Sequence, residues 1–292
     1  MRCRGPQWSY QKHIEAERLE ELPLCVSKPN SVDAWLHHRA LNLVLPILAA
    51  YPKATWMTVG DGKYGSDAYF LRGHGADVLS TSLTDHTLSI AEQKGLIDRF
   101  RCENAERICA NDESFDFVLC KEAYHHFPRP PIAFYEMLRV ARQAVILIEP
   151  REGAGRLLNH MKQYIKRRVR GVASTLFERG GNFIFRVNEK EVVKMMAALN
   201  HGVVFCKRFN TFYHPRLAVA TMSSVSLPGI LTRLAIAIQD VLSVLRLLDY
   251  GGTCVMVFKE MPCERLQQDL RRQGFQIMAV PANPYLSHEQ PS

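Results

Sequence analysis

A short apolar run that stops at three glycines constrains the fold of this chain more than any other feature. The run covers residues 54–59, and the glycine-rich segment follows at 60–67, so that the whole stretch reads ATWMTVGDGKYGSD. Its large apolar and β-branched residues predict a buried strand. Gly60, Gly62 and Gly65 then permit positive φ and close approach to the backbone. If Ser66 caps a helix beginning at Asp67, free N–H groups at a positive helix end would suit an anionic or strongly polar ligand.

Strand and helix patterns alternate after this loop. Apolar runs predict strands at 77–82, 100–102, 115–120 and 144–148, and the segments between several of them have helical spacing. This alternation is typical of right-handed βαβ units and a doubly wound parallel sheet. In such a sheet the ligand lies beyond the carboxyl ends of the strands. That rule selects the glycine loop and the segments 82–85, 104–106, 121–127 and 149–150.

The second of these strand ends argues against a dinucleotide. A dinucleotide site needs an acidic residue about 20 residues after the glycines, to bind ribose hydroxyls. The chain has Ser82 at that place. A nicotinamide oxidoreductase therefore fits the literal glycine pattern and gains nothing from the rest of the sequence.

Three motifs within residues 55–150 resemble those of the class I S-adenosylmethionine-dependent methyltransferases, especially the small-molecule group. TVGDGKYGS is similar to their first motif, ENAERI to their adenine-side motif, and SFDFVLCKEAYHHFPRP to their fourth strand and the loop after it. The resemblance implies S-adenosylmethionine as cofactor and a Rossmann-like seven-stranded α/β sheet. Two further strands, at 202–208 and 253–259, would complete that sheet, the last of them antiparallel.

The resemblance also implies the residues of the site. In the family the first and second strands end near acidic residues, where this chain has Thr58 and Ser82, so Asp61 or Asp85 would have to replace them. Without a replacement, the chain would bind cofactor weakly or be a non-catalytic relative. The expected cofactor-binding residues are Thr58, Gly60, Asp61, Gly62, Gly65, Ser82, Asp85, Asn104, Ala105, Glu106 and Lys121. The catalytic candidates are Glu122, His125 and His126.

Composition narrows the class of protein and the partners. Neither the paired histidines nor the eight cysteines have metal-ligand spacing, so we expect no metal and reduced, mostly buried thiols. The first 20 residues lack a continuous apolar segment, which predicts a cytoplasmic protein. The net charge of +8 favours acidic partners. Nucleic acid is disfavoured, because no basic face is interleaved with aromatic residues.

Three regions follow from these patterns. We expect residues 1–50 to form an N-terminal helical cap, with helices at 9–22 and from Ser31. Residues 51–150 would form the cofactor-binding core, and residues 151–292 would complete the sheet. The last region includes a basic amphipathic helix (155–178), a helical insertion (210–250) and a C-terminal helix and strand. The insertion has an aliphatic face, which leaves three alternatives: a lid over the substrate, a homodimer interface or a peripheral membrane contact.

The sequence thus favours a methyltransferase that acts on a small acceptor, which would be acidic or linked to a carrier or lipid. Two alternatives stay open. One is a non-catalytic binding or scaffold protein derived from the same fold, and the other is the nicotinamide oxidoreductase.

Overall fold

A mixed eight-stranded sheet forms the centre of the computed structural model, which describes residues 5–19, 21–170, 176–177, 182–200 and 202–285. The strands are β1 (Thr55–Val59), β2 (Asp77–Ser82), β3 (Phe100–Cys102), β4 (Phe115–Lys121), β5 (Ala141–Pro150), β6 (Val203–Phe209), β7 (Gly252–Phe258) and β8 (Gln276–Met278). Their spatial order is β3-β2-β1-β4-β5-β7-β6-β8.

The described helices surround this sheet. They are α1 (Pro6–Glu17), α2 (Leu24–Ser27), α3 (Val32–Leu41), α4 (Leu45–Ala50), α5 (Ser66–Gly73), α6 (His86–Gln93), α7 (Pro130–Val140), α8 (Leu157–Arg170), α9 (Glu189–Ala198), α10 (Pro215–Ala218), α11 (Leu227–Val244) and α12 (Glu264–Arg272). Short 3₁₀ turns lie at Asn42–Val44 and Tyr124–His126.

Strand directions confirm the doubly wound α/β prediction. Strands β1 to β5 pair in parallel, and β7 is antiparallel to both β5 and β6. The predicted count of seven strands is one too few, because β8 pairs with β6 and extends the sheet. Strands from residues 51–150 and 151–292 share this sheet, since seven residues of β5 pair with β7.

Two apolar cores cover the two faces of the sheet. On β1, the side chain of Trp56 enters one core and that of Met57 enters the other, and both are fully buried. The same alternation continues through Phe117 and Val118 on β4. Strands buried on both faces read as continuous apolar runs, which is why the sequence locates them well.

The N-terminal helices depart from the predicted bounds. Helix α3 begins where expected, because the Ser31 hydroxyl accepts a hydrogen bond from the Ala34 N–H at 3.1 Å. Helix α1 covers Pro6–Glu17 rather than 9–22, with proline in its first turn. The segment between the two predicted helices contains α2, a short helix that the sequence did not predict.

The accessory elements of the C-terminal half lie close to their predicted positions. Helix α8 spans Leu157–Arg170, and residues 171–175 and 178 of the predicted basic helix lie outside the described residues. In the insertion, α11 packs against α3, where the Arg233 guanidinium lies 5.8 Å from the Trp35 ring. The insertion therefore rests on the N-terminal cap.

Candidate active site

The glycine loop between β1 and α5 is shaped by two of its three glycines. Gly60 has φ of +76°, and a Cβ there would lie 2.4 Å from the Cβ of Ala123. Gly65 has φ of +62° and precedes α5. Side chains at both positions would strain the backbone and clash with neighbours, so the sequence requires glycine there.

Asp61 closes the N-terminus of α5 from inside the loop. Its buried carboxylate accepts hydrogen bonds from the N–H groups of Asp67 (3.1 Å) and Ala68 (2.9 Å). The Thr58 hydroxyl donates to the same carboxylate at 2.9 Å. The expectation that Ser66 caps this helix and leaves free N–H donors is therefore wrong, because Gly65 is the capping position and Asp61 takes those donors. Thr58 and Asp61 thus hold the loop.

A narrow cleft opens beyond the carboxyl ends of β1 to β4, at the edge that the strand-end rule selects. Its volume is about 40 Å³. The lining residues that the sequence predicted are Gly60, Ser82, Asn104, Ala105, Glu106 and His126. Leu83 and Phe127 also line it and lie within the segments that the strand-end rule selects. The lining residues that the sequence missed are Ser9, Tyr10, His13, Glu103 and Pro128.

Helix α1 forms the outer wall of this cleft and is held there by polar contacts. The Tyr10 hydroxyl donates to the Glu106 carboxylate at 2.6 Å, and the Arg129 Nε donates to the same oxygen at 2.6 Å. The preceding residue, Ser9, donates from its hydroxyl to the Asn182 side-chain oxygen at 2.9 Å. The N-terminal cap thus contacts the predicted cofactor cleft directly.

Glu17, the last residue of α1, brings a carboxylate to the end of β2. The Ser82 hydroxyl donates to Glu17 Oε2 at 3.1 Å, and Thr87 Oγ1 lies 3.0 Å from Oε1. Glu17 is 3% exposed, and this burial raises the pKa of its carboxyl. A Cβ on Gly62 would lie 3.1 Å from the Glu17 carboxyl carbon, so the absence of a side chain at Gly62 makes room for Glu17. No pattern in the sequence signals the contact, since Ser82 is 65 positions away.

Asp85, which the sequence suggested as a replacement for the missing acid, is exposed and precedes α6 as its N-cap residue. Its backbone carbonyl accepts the Ser89 N–H at 2.7 Å. The structure therefore brings Glu17, and not Asp85, to the Ser82 hydroxyl.

The segment after β3 forms the polar floor of the cleft. Asn104 accepts the Glu106 N–H through its side-chain oxygen at 2.9 Å, so this oxygen is already engaged by the backbone. The Glu103 carboxylate accepts the Cys109 N–H at 2.9 Å. These bonds fix the loop that carries the three polar residues Glu103, Asn104 and Glu106.

A buried carboxylate organises the loop after β4. Glu149, near the end of β5, accepts the N–H groups of Ala123 and Tyr124 through Oε1, both at 2.9 Å. Its Oε2 lies 2.6 Å from His125 Nδ1. His126 lies beside His125, with ring centroids 3.9 Å apart, and faces the cleft. The dyad of His125 and Glu149 therefore positions the loop from which His126 reaches the cleft.

Lys121 and Glu122 belong to a separate charged cluster beneath α3. Lys121 Nζ lies 3.3 Å from a Glu122 carboxylate oxygen and 3.6 Å from Asp67 Oδ1. Despite the burial of Lys121, these two carboxylates raise its pKa. Burial lowers the pKa of His37 to about 2 and raises that of Asp67 to about 7. Neither Lys121 nor Glu122 is among the residues that line the cleft.

Within the described part of the chain, no group of three or more histidine, cysteine, aspartate or glutamate residues could hold a metal ion.

Comparison with known proteins finds a match in the central region. A family profile described as a methyltransferase domain matches residues 57–148. A search of curated proteins finds no significant match.

Solved structures share the fold at low sequence identity. The YcgJ protein of Bacillus subtilis is 16% identical, and the match covers 77% of this chain and 100% of that protein with a TM-score of 0.51. Magnesium protoporphyrin IX methyltransferase from Synechocystis, with bound S-adenosylhomocysteine, is 11% identical, with coverages of 87% and 97% and a TM-score of 0.51. The Burkholderia thailandensis 1,6-didemethyltoxoflavin-N1-methyltransferase, with its substrate and S-adenosylhomocysteine, is 13% identical, with coverages of 89% and 93% and a TM-score of 0.51.

Proposed function

We propose that this chain, a class I S-adenosylmethionine-dependent methyltransferase by its core domain, transfers a methyl group to a small acceptor that is linked to a carrier or a lipid. The observation that supports this proposal most directly is the cleft beyond β1 to β4. Its walls combine the Gly60 turn with polar groups at the ends of β2 and β3. Such a wall suits a ligand with an amino-acid end, a ribose and an adenine.

The polar residues at the cleft fit the cofactor, with Glu17 as the carboxylate that the end of β2 lacks. In this proposal, Glu17 and Ser82 take the ribose hydroxyls, because a carboxylate accepts several hydrogen bonds where a serine accepts few. Asn104 and Glu106 lie along the adenine. The amide donors of Asn104 remain available for this, since only its oxygen has a hydrogen bond among the described residues.

Cofactor binding must move α1. Ligand pockets of this kind usually have volumes of roughly 300 to 1,000 Å³, whereas the cleft beneath α1 has about 40 Å³. The contacts of Tyr10 and Ser9 are polar and only partly buried, so water can replace them. Helix α1 would withdraw to admit the cofactor and then return to cover it.

Once bound, S-adenosylmethionine supplies a methyl group that its sulfonium already activates. The protein then has to align the acceptor and, where the acceptor carries a proton, remove it. His126 faces the cleft and is our candidate for that proton transfer. His125, fixed by Glu149, is a positioning residue. His126→Gln should lower kcat with little effect on cofactor affinity, and an unchanged kcat would exclude His126 as the base.

The proposal of a lipid-linked acceptor rests on the exposed surface of α8 and α11. Exposed apolar side chains on these helices are Leu157, Met161, Tyr164, Ile165, Val169, Leu227, Ile230, Leu231, Leu234, Ile238, Val241 and Val244. Arg167 and Arg168 are exposed on α8. By length and composition alone, α11 could cross a membrane, and it is the one helix in the described ranges with this property. Of its residues, 22% are buried inside the protein. An apolar surface with adjacent arginines is typical of contact with an anionic membrane surface.

Calorimetry with S-adenosylmethionine, S-adenosylhomocysteine and NAD tests the central proposal. We expect the first two to bind and to raise the melting temperature, since a ligand bound only by the native state stabilises it. Binding of NAD alone would support the oxidoreductase. Binding of the first two without turnover on any acceptor would support a non-catalytic binding protein.

A further inference from the structure

A second, larger cavity lies at the same edge of the sheet, beyond β5. Its volume is about 440 Å³, and its walls come from the residues after β5, the end of β6, the loop after α11 and the start of β8. Four arginines line it: Arg151, Arg156, Arg208 and Arg246. Arg156, which precedes α8, and the last residues of the insertion thus border one cavity.

The cavity carries an excess of positive charge. Glu189 Oε1 accepts hydrogen bonds from the Nε of Arg151 at 2.6 Å and from the Nε of Arg208 at 3.1 Å. Asp249 lies 3.6 Å from Arg156. Both carboxylates are almost fully buried. Four guanidinium groups against two carboxylates leave a formal charge of +2.

Several donors in the cavity have no hydrogen-bond partner among the described residues. A guanidinium group has five N–H donors. Among the described residues, Arg151 and Arg208 donate only through Nε, and the side chain of Arg246 donates no hydrogen bond. The side chain of Arg156 donates only to the Arg246 carbonyl, at 3.3 Å. Terminal N–H pairs therefore remain in a fork geometry that matches phosphate oxygens.

We propose that this cavity binds a phosphate group of the methyl acceptor. The excess charge of +2 matches a phosphate dianion, and an anion there would gain charge-assisted hydrogen bonds. The inference rests on the proposed function for its link to the acceptor, but the presence of an anion site can be tested without the cofactor.

The sheet order gives the approximate length of such an acceptor. Arg208 lies at the end of β6, three strands from β4, after which His126 follows. Adjacent strands are about 4.8 Å apart, so the phosphate would lie roughly 14 Å from the reacting atom. This distance favours an elongated acceptor over a compact one such as a free amino acid.

Calorimetry with inorganic phosphate, and with acetate at equal ionic strength, tests the anion site. We expect saturable phosphate binding, weaker acetate binding, and at least a fivefold loss of phosphate affinity in Arg208→Gln and in Arg246→Gln. Both side chains are exposed enough for the variants to fold, which their melting temperatures would check. Arg167→Gln on α8 removes the same charge at an exposed position away from the cavity and should bind phosphate like wild type.

Three results would overturn the proposal. Phosphate binding could be absent, or Arg167→Gln could lose as much affinity as the cavity variants, which would indicate diffuse attraction by the net charge. Phosphate could also compete with S-adenosylhomocysteine, which would place it in the cofactor cleft. Failure of S-adenosylhomocysteine to bind, with phosphate binding intact, would instead count against the proposed function alone.

Discussion

Replacing Glu17 with glutamine separates the role proposed for this residue from a purely structural one. Glutamine keeps the size of the side chain and removes its charge. Hydrogen bonds to a charged acceptor contribute about 1.5 to 3 kcal/mol. Since about 1.4 kcal/mol corresponds to a factor of ten, we expect Glu17→Gln to weaken S-adenosylhomocysteine binding by about tenfold to 150-fold. The burial of Glu17 means that solvent should screen little of this effect.

The assay pairs the variant with a ligand that lacks one hydroxyl. Calorimetry would compare S-adenosylhomocysteine with its 2′-deoxyribose analogue in wild type and in Glu17→Gln. If the carboxylate accepts a ribose hydroxyl, the variant should lose clearly less affinity for the deoxy analogue. Glu15→Gln is the matched control, because Glu15 lies on the same helix, is exposed and pairs with Lys12.

Two outcomes would refute this reasoning. An equal loss for both ligands would mean that Glu17 only docks α1. Tighter binding in the variant would mean that the carboxylate occupies the ribose position and competes with the cofactor.

The same contact reverses an expectation drawn from sequence. With Ser82 as the sole group at the end of β2, Ser82→Asp should tighten cofactor binding. In the structure the new carboxylate would lie beside that of Glu17, at the position of a hydroxyl 3.1 Å away. Like charges at that distance repel, so we expect weaker cofactor binding in calorimetry. Tighter binding would restore the sequence-based expectation.

Three further predictions concern the loop, the buried histidine and the exposed helix. Gly60→Ala should destabilise the protein by about 1 to 3 kcal/mol in chemical denaturation, because Gly60 has a positive φ and a Cβ there would clash with Ala123. Gly73→Ala is the control, because a Cβ at Gly73 meets no atom within 4 Å. Equal destabilisation by the two variants would contradict the loop geometry. Burial lowers the pKa of His37 from 6.5 to about 2. Between pH 6.5 and about 2, His37 therefore binds a proton in the unfolded chain but not in the folded one. Each pH unit of acidification in this range should lower the free energy of unfolding by up to about 1.4 kcal/mol through His37. Buried carboxyls with raised pKa oppose this trend, so the test is the difference in slope between wild type and His37→Gln, and identical slopes would refute it. Finally, Leu234→Asp should reduce co-sedimentation with vesicles of phosphatidylcholine and phosphatidylserine at unchanged mass in light scattering; loss of a dimer without a change in sedimentation would favour the homodimer interface.

The sequence predicted the sheet because buried parallel strands have a strong local signal. The bounds of β2 and β3 agree with the prediction to the residue. The extra strand β8 was predicted as a short addition, but its pairing with β6 depends on contacts that no local pattern specifies.

The site was predictable where it depends on strand ends and not where it depends on helix packing. Gly60, Asn104 and His126 line the cleft because each follows a strand of the parallel sheet. The capping role of Ser66 was wrong because a carboxylate five positions earlier reaches the same N–H groups. Glu17 was missed because it looks like one more charged residue on an amphipathic helix.

The origin of the Glu17 carboxylate affects how active members of such a fold are distinguished from inactive ones. The region that matches the methyltransferase-domain profile, residues 57–148, contains a second strand that ends in a serine. Judged on that region alone, the chain would be classified as having lost its ribose-binding acid. In our proposal the acid is Glu17, which comes from a helix that precedes the region. If Glu17 binds the ribose as proposed, a survey based on core motifs would wrongly count such a chain as a pseudoenzyme. Removing the N-terminal helix would then create the defect that the survey infers.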